Sequence, residues 1–292
     1  MGYSEIEQQG QVEELLIKIV KETKDRQFIR KRNGIILAEY RAKLSDSLGI
    51  CVCGEEDKEG KFHMMYYFPY CTNVLYSDEE FVVYDKKIFG EGYTGMCDDE
   101  AIGATLIFYV TNVVDYMFKH NGENTVDDMS VAFSALSNKG NIILPTVVRD
   151  DRKDWAQKKG KKKKIADNDE NENDDDTDEK EMVSISLEEI EKFAAINERS
   201  KKEDILSIVE SSLVPLGSES DVYILVGTII GAHTESNIYT GEEVYILLVD
   251  MNSIYINVAI NKKDLYGEPV IGRRFRGNVW LQGKTVETKF IP

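Results

Sequence analysis

Between Asp150 and Glu181 only Trp155, Ala156, Ile165 and Ala166 are apolar. That stretch cannot repay the entropy of ordering about thirty residues, so any fold must be built on either side of it. It opens on a lysine run at residues 158–164 and continues as an acidic block over residues 167–181. Residues 149–181 hold 10 basic and 13 acidic side chains, so the two blocks nearly cancel. The spacing predicts a charged disordered linker or surface insertion over residues 149–184, solvated on its own account rather than a basic patch for nucleic acid.

The rest of the charge is unevenly placed. The whole chain of 292 residues carries 36 Lys and Arg against 53 Asp and Glu, a formal charge of −17. Residues 1–148 hold 15 basic and 24 acidic side chains, net −9, whereas residues 215–292 hold 7 and 9, net −2. An acidic first half repels phosphate backbones and anionic headgroups, which argues against nucleic acid and membrane surfaces as partners. With 42% hydrophobic residues the chain has enough apolar surface for a core, and its length suits two domains. No apolar run reaches the roughly 18 residues of a membrane span. The first residues lack the basic and apolar regions of a secretory leader, so the expected location is the cytoplasm, with all four cysteines as thiols.

Periodicity predicts an α+β first domain over residues 1–148. Val12, Leu15, Leu16, Ile19 and Val20 recur at three and four positions and mark an amphipathic helix. Extended runs follow at residues 34–42, 48–54, 61–69 and 80–84, rich in β-branched and aromatic residues and separated by turn chemistry. Asp98 or Asp99 then caps an expected second helix, with Ile102, Leu106, Tyr109, Val110, Val113, Val114 and Met117 on a wide apolar face. Residues 129–136 and 141–148 read as a hairpin about Ser137, Asn138, Lys139 and Gly140. Capping boxes at Ser186–Glu189 and Ser200–Glu203 predict a helical pair over residues 185–214. Beyond it, strands at 222–231, 243–249, 254–260 and 274–282, with one helical turn near Lys262, predict a small C-terminal β-barrel of the oligonucleotide/oligosaccharide-binding (OB-like) kind over residues 215–292. The expected fold is thus an antiparallel sheet packed on two helices, followed by a helical pair and this barrel.

Three motifs carry possible chemistry. Gly90, Gly92 and Gly95 match G-x-G-x-x-G, but the acids Asp98, Asp99 and Glu100 stand where a phosphate site needs free amides, so the run reads as a glycine-rich loop. Cys51, Cys53, His63, Cys71 and Cys97 lack the spacing of a zinc knuckle. A Cys-x-Cys pair puts both thiols on one face of a strand, where cysteine serves as a small apolar residue, so no metal and no cofactor are expected. His63, His120 and His233 form no visible pairing with a cysteine nucleophile. In the third motif, Arg273, Arg274 and Arg276 with Phe275 and Trp280 combine cationic and aromatic groups. Alternation places Arg274, Arg276 and Trp280 on one face, which makes Arg273, Arg274, Arg276 and Trp280 the candidate ligand-binding residues.

Residues 100–112 (EAIGATLIFYVTN), 203–212 (EDILSIVESS) and 267–283 (GEPVIGRRFRGNVWLQG) resemble a family of uncharacterised cytoplasmic proteins from anaerobic Gram-positive bacteria, a domain of unknown function. The resemblance covers nearly the whole chain outside the charged segment. It implies a shared two-part design and brings no catalytic residues with it.

The functional expectation is a non-catalytic cytoplasmic protein that binds a protein partner or a small anionic ligand. One alternative is an enzyme with an interdomain site built from Asp98, Asp99, Glu100 and the arginines at 273–276. The other is a single-stranded nucleic-acid binder working through the C-terminal barrel.

Overall fold

The computed structural model describes residues 2, 9–30, 34–77, 80–86, 92–99, 104–115, 127–145, 209–217 and 220–287. Residues 1–145 and 210–292 make one compact unit. The charged segment at 149–184 and all of the expected helical pair up to residue 208 lie outside the described residues.

Helix α1 (Gln9–Glu22) forms where the three-and-four periodicity predicts it. It buries Leu16 and Ile19 and leaves Ile17 outside. Four strands follow: β1 (Asp25–Arg30), β2 (Ile36–Lys43), β3 (Leu48–Glu56) and β4 (Phe62–Cys71). They form an antiparallel sheet in sequential order. The β3–β4 turn is closed by Asp57, whose Oδ1 accepts the amides of Glu59 and Lys61 at 2.9 Å. One face of this sheet packs Ala38, Tyr40, Ala42, Ile50 and Val52 with Leu16 and Ile19 of α1.

The remaining strands are β5 (Glu80–Lys86), β6 (Tyr93–Asp99), β7 (Ala104–Val110), β8 (Asp127–Ile143), β9 (Ser212–Pro215), β10 (Val222–Ser236), β11 (Glu243–Met251), β12 (Ile254–Asn261), β13 (Leu265–Tyr266) and β14 (Arg274–Glu287). They share one ten-stranded sheet. Its axis is the antiparallel pair of the long strands β8 and β14, which runs from Met129↔Glu287 to Ile143↔Arg274 with one register shift at Asn278/Val279. At one end β14 pairs with β10, β10 with β11, β11 with β12, and β12 runs parallel to β8. At the other end β8 pairs with β5, β5 with β6, β6 with β7, and β7 runs parallel to β14. Each circuit is a closed ring of five strands, and the two rings share β8 and β14. One continuous core fills both, from Leu106, Phe108 and Val131 to Leu225, Ile256 and Phe275. Backbone is brought close to two rings by glycine: a Cβ on Gly95 or Gly283 would lie 2.4 Å from Phe108, and one on Gly140 or Gly277 would lie 2.5 Å from Phe275.

This architecture corrects the expected α+β fold. The described chain is mostly strand, in two sheets, and α1 is its one described helix longer than a single short turn. Where the second helix is expected, over residues 99–117, residues 104–110 form strand β7 and residues 113–115 have helical backbone; residues 100–103 and 116–117 lie outside the described residues. The misreading has a physical origin. Leu106, Phe108 and Val110 enter the ring core while Tyr109 is buried on the opposite face, so both faces are apolar and the run imitates a broad helical stripe. The expected hairpin at residues 137–140 is continuous β8. There Gly140 makes room for Phe275, and the Ser137 hydroxyl donates to the Asn278 carbonyl at 2.8 Å. The C-terminal strands do not close on themselves; β8 completes their ring. The short helical turn does form, as a 3-10 turn at Lys262–Asp264.

The four-stranded sheet is fastened to the large one by polar side chains. Gln282 accepts the Cys71 amide at 3.1 Å and donates to the Pro69 carbonyl at 2.8 Å. Asn73 donates to the carbonyls of Phe133 and Tyr255. Glu235, near the end of β10, accepts the Ser45 and Ser47 hydroxyls at 2.5 and 2.6 Å, the Ser47 amide at 2.9 Å, and His233 Nε2 at 2.9 Å. Burial alone would raise the Glu235 carboxyl, but the serine and histidine bonds outweigh it and hold the group down at about 2. The folded value is below the unfolded one, so this carboxylate stabilises the fold above the ordinary glutamate range. Its contribution is lost as pH falls from about 4.5 toward 2.

Two outcomes are expected. In acid titration followed by circular dichroism, Glu235→Gln lowers stability at pH 7 and flattens the wild-type loss of stability between about pH 4.5 and 2. A profile unchanged in that window excludes Glu235 as the anchor. In urea unfolding, Gly283→Ala costs about 1–3 kcal/mol by overpacking Phe108, and combining it with Phe108→Leu returns part of that loss.

Candidate functional site

Strand register assembles a polar layer inside the protein. Glu39 lies opposite Cys53 and Arg41 opposite Cys51 across β2 and β3. Across β3 and β4, Cys53 lies opposite Tyr66 and Cys51 opposite Phe68. Period-two alternation turns these residues to one face of the four-stranded sheet, away from α1. That face packs on the large sheet through Tyr109 of β7 and Trp280 of β14. Tyr109 meets Phe68 and Trp280 edge-on, each with ring centroids 4.9 Å apart.

Glu39 is 2% exposed, an unusual position for a carboxylate, and its compensation is visible. Arg41 donates to its Oε2 at 2.8 Å, and the Val114 amide donates to Oε1 at 3.4 Å. Arg41 also donates to the Thr111 carbonyl at 2.5 Å, so one guanidinium ties β2 to the end of β7. Its plane lies over Tyr70, 5.4 Å from the ring centroid. Burial raises the Glu39 carboxyl despite the opposing pull of Arg41. Burial works to lower Arg41, but the neighbouring Cys51 sulfur and Glu39 outweigh it and hold the guanidinium charged. The Cys51 and Cys53 sulfurs are 3.7 Å apart, and burial, then the bond to Cys53, push the Cys51 thiol well up. Burial likewise raises the phenols of Tyr66 and Tyr109.

Glu39, Cys51 and Cys53 present ligand atoms that all lie within 4.8 Å of one another. The other sulfur and imidazole groups are elsewhere. Cys71 packs with the α1 cluster and is raised to about 12, first by burial and then by Glu235. Cys97 enters the ring core, and exposed His63 pairs with Asp57 at 3.0 Å. His120 and Glu100 lie outside the described residues.

The four residues singled out from sequence are spread along β14 and the loop before it. Arg273 donates to the Glu268 carbonyl, and Arg274 is buried, its Nε donating to the Leu144 carbonyl at 2.8 Å. Arg276 is exposed. Trp280 donates its indole N–H to Asp221 at 2.9 Å and packs on Tyr109 under the four-stranded sheet. Gly95 lies in β6 against Phe108, so the glycine motif runs into a strand and not into a helix. Asp98 accepts the Thr105 hydroxyl from β7. Sequence reasoning missed Glu39 and Arg41. Their signal was two charges two positions apart in the otherwise apolar run Ile36–Ala42, matched in spacing by Cys51 and Cys53.

The ion pair carries its own prediction. Arg41→Met strands a buried carboxylate and costs about 3–5 kcal/mol in denaturant unfolding. The double variant Arg41→Met/Glu39→Leu recovers a large part of that loss, because no charge is then left uncompensated. A single variant within about 0.5 kcal/mol of wild type means the pair is solvated.

No curated protein and no solved structure matches the chain. A family profile does match, over residues 1–283, which takes in both sheets and the layer at Glu39, Arg41, Cys51 and Cys53. The chain belongs to that family, described as "Domain of unknown function, E. rectale Gene description (DUF3881)".

Proposed function

We propose that this protein is a non-catalytic interaction protein of the cytoplasm that takes an extended, basic and apolar polypeptide along the outer edge of β4. The supporting observation is the strip formed by Met64, Met65 and Tyr67, 49%, 48% and 46% exposed. β4 is the end strand of its sheet, and among the described residues no strand pairs with its outer edge over residues 62–67. An unpaired edge offers alternating N–H and C=O groups to an incoming strand, and adjacent side chains add specificity.

Local chemistry favours this strip. A register shift at Cys53/Gly54 leaves Met65 as the extra residue on β4, and both neighbouring methionines are exposed. Scattered apolar residues on a surface are ordinary, but three within four positions on a strand edge make a contiguous contact. Methionine adapts its shape to a partner, and tyrosine supplies rigid amphipathic area. The formal charge of −17 favours a basic partner over an acidic one. Four buried free cysteines accord with a reducing compartment. Trp280, engaged with Asp221 and Tyr109, has little ring face to offer a stacked base, which speaks against the single-strand alternative.

The test is selection of displayed random peptides on the full chain, followed by hydrogen exchange with the selected peptide. The expected outcome is peptides that alternate apolar and basic residues, protect amides of residues 62–67, and lose at least about tenfold in affinity on Met64→Glu/Met65→Glu, about 1.4 kcal/mol. Protection confined to another surface, or equal binding by the double variant, overturns the reading.

A further inference from the structure

We propose that Glu39, Cys51 and Cys53 form a buried structural site for one thiophilic divalent cation of the zinc class. The geometry points to it first. The two sulfurs are 3.7 Å apart. Two thiolates bound tetrahedrally at the usual zinc–sulfur length of about 2.3 Å are separated by about 3.8 Å. The dithiol is therefore spaced as one edge of a zinc tetrahedron without backbone movement. The Glu39 carboxylate oxygen lies within 4.8 Å of both sulfurs and supplies the third donor. The fourth position falls to the hydroxyl of Tyr66, the register partner of Cys53 across β3 and β4, or to a water that it holds.

Charge and surroundings agree with this donor set. One divalent cation, two thiolates, one carboxylate and the Arg41 guanidinium sum to zero, as a group this deeply buried requires. A carboxylate has lone pairs to spare, so Glu39 can ligate while still accepting from Arg41 and from the Val114 amide. Those two donors orient it, in the role that partners of metal ligands usually play. Arg41 also has a buried Nε–H with no acceptor among the described residues, a donor open to a thiolate at the neighbouring Cys51. Soft sulfur with one hard oxygen selects zinc-like ions over calcium or magnesium. Cys51 is fully buried and Cys53 nearly so, which suits a closed structural site loaded as the chain folds. Loading displaces two thiol protons to solvent for each ion bound.

The test uses the full chain, unfolded in a chelator, refolded with Zn²⁺ or Co²⁺ and separated from free metal. The expected result is about one ion per chain, with sulfur scatterers at about 2.3 Å in zinc-edge X-ray absorption. The cobalt form should show thiolate charge transfer and the intense visible bands of a tetrahedral site. Cys53→Ser and Cys51→Ser abolish those features, Glu39→Gln weakens cobalt binding about tenfold or more, and Cys71→Ser and Cys97→Ser leave them unchanged. Refolded wild-type protein that retains no ion, or whose zinc has no sulfur neighbour, overturns the proposal whatever the variants do. So does a cobalt spectrum that survives the double serine variant.

Discussion

Everything in the large sheet depends on the pairing of β8 with β14. These strands have 17 and 14 residues, long enough for each to serve two rings at once. Their partners attach at opposite ends: β12 and β10 on one side, β5 and β7 on the other. A closed ring leaves no edge strand to pair with a neighbour, so the two rings satisfy their ladders within the molecule. The arrangement also places strands from both halves of the sequence in one core, because Phe108 and Phe275 belong to a single buried cluster.

That dependence explains what could and could not be read from sequence. The local units were legible: α1 from its periodicity, β2 to β4 from turn chemistry, β10 to β12 from alternation. The partner of each long strand was not. Register between β8 and β14 joins residues more than a hundred positions apart, and no local pattern states it. The turn-like residues at 137–140 fit the strand through tertiary contacts, since Gly140 lies beneath Phe275 and Ser137 bonds across to Asn278. Such contacts override local propensity, which is a weak prior for strands. β7 misled for the same reason, because burial on both faces erases the period-two signature.

The polar layer was legible in part. Alternation correctly put Cys51 and Cys53 on one face of β3 and assigned them a packing role. It could not show which strand would cover them. β2 brings a carboxylate and a guanidinium to those thiols, β4 brings Tyr66, and β7 brings Tyr109. Four elements meet there because Gln282, Asn73 and Glu235 fasten the small sheet to the double ring by side-chain hydrogen bonds. The arginines at 273–276 drew the eye as a cluster in sequence. In the fold, two of them are spent on loop carbonyls.

The two sheets therefore differ in what they can do. The double ring closes on itself around a shared cluster of buried hydrophobic side chains. The four-stranded sheet is open, and it has the buried ion pair and dithiol on one face of its interior. Its end strand β4 takes part in both features: Tyr66 reaches into the polar layer, and Met64, Met65 and Tyr67 face outward on either side of it. Backbone movement at residues 64–67 must be felt at Cys53, because Tyr66 and Cys53 are register partners beside the bulge. A cation that locks Cys51 and Cys53 of β3 would stiffen the register neighbour of β4, the strand whose edge we propose a partner pairs with, and lower the entropy lost when an added strand orders that edge.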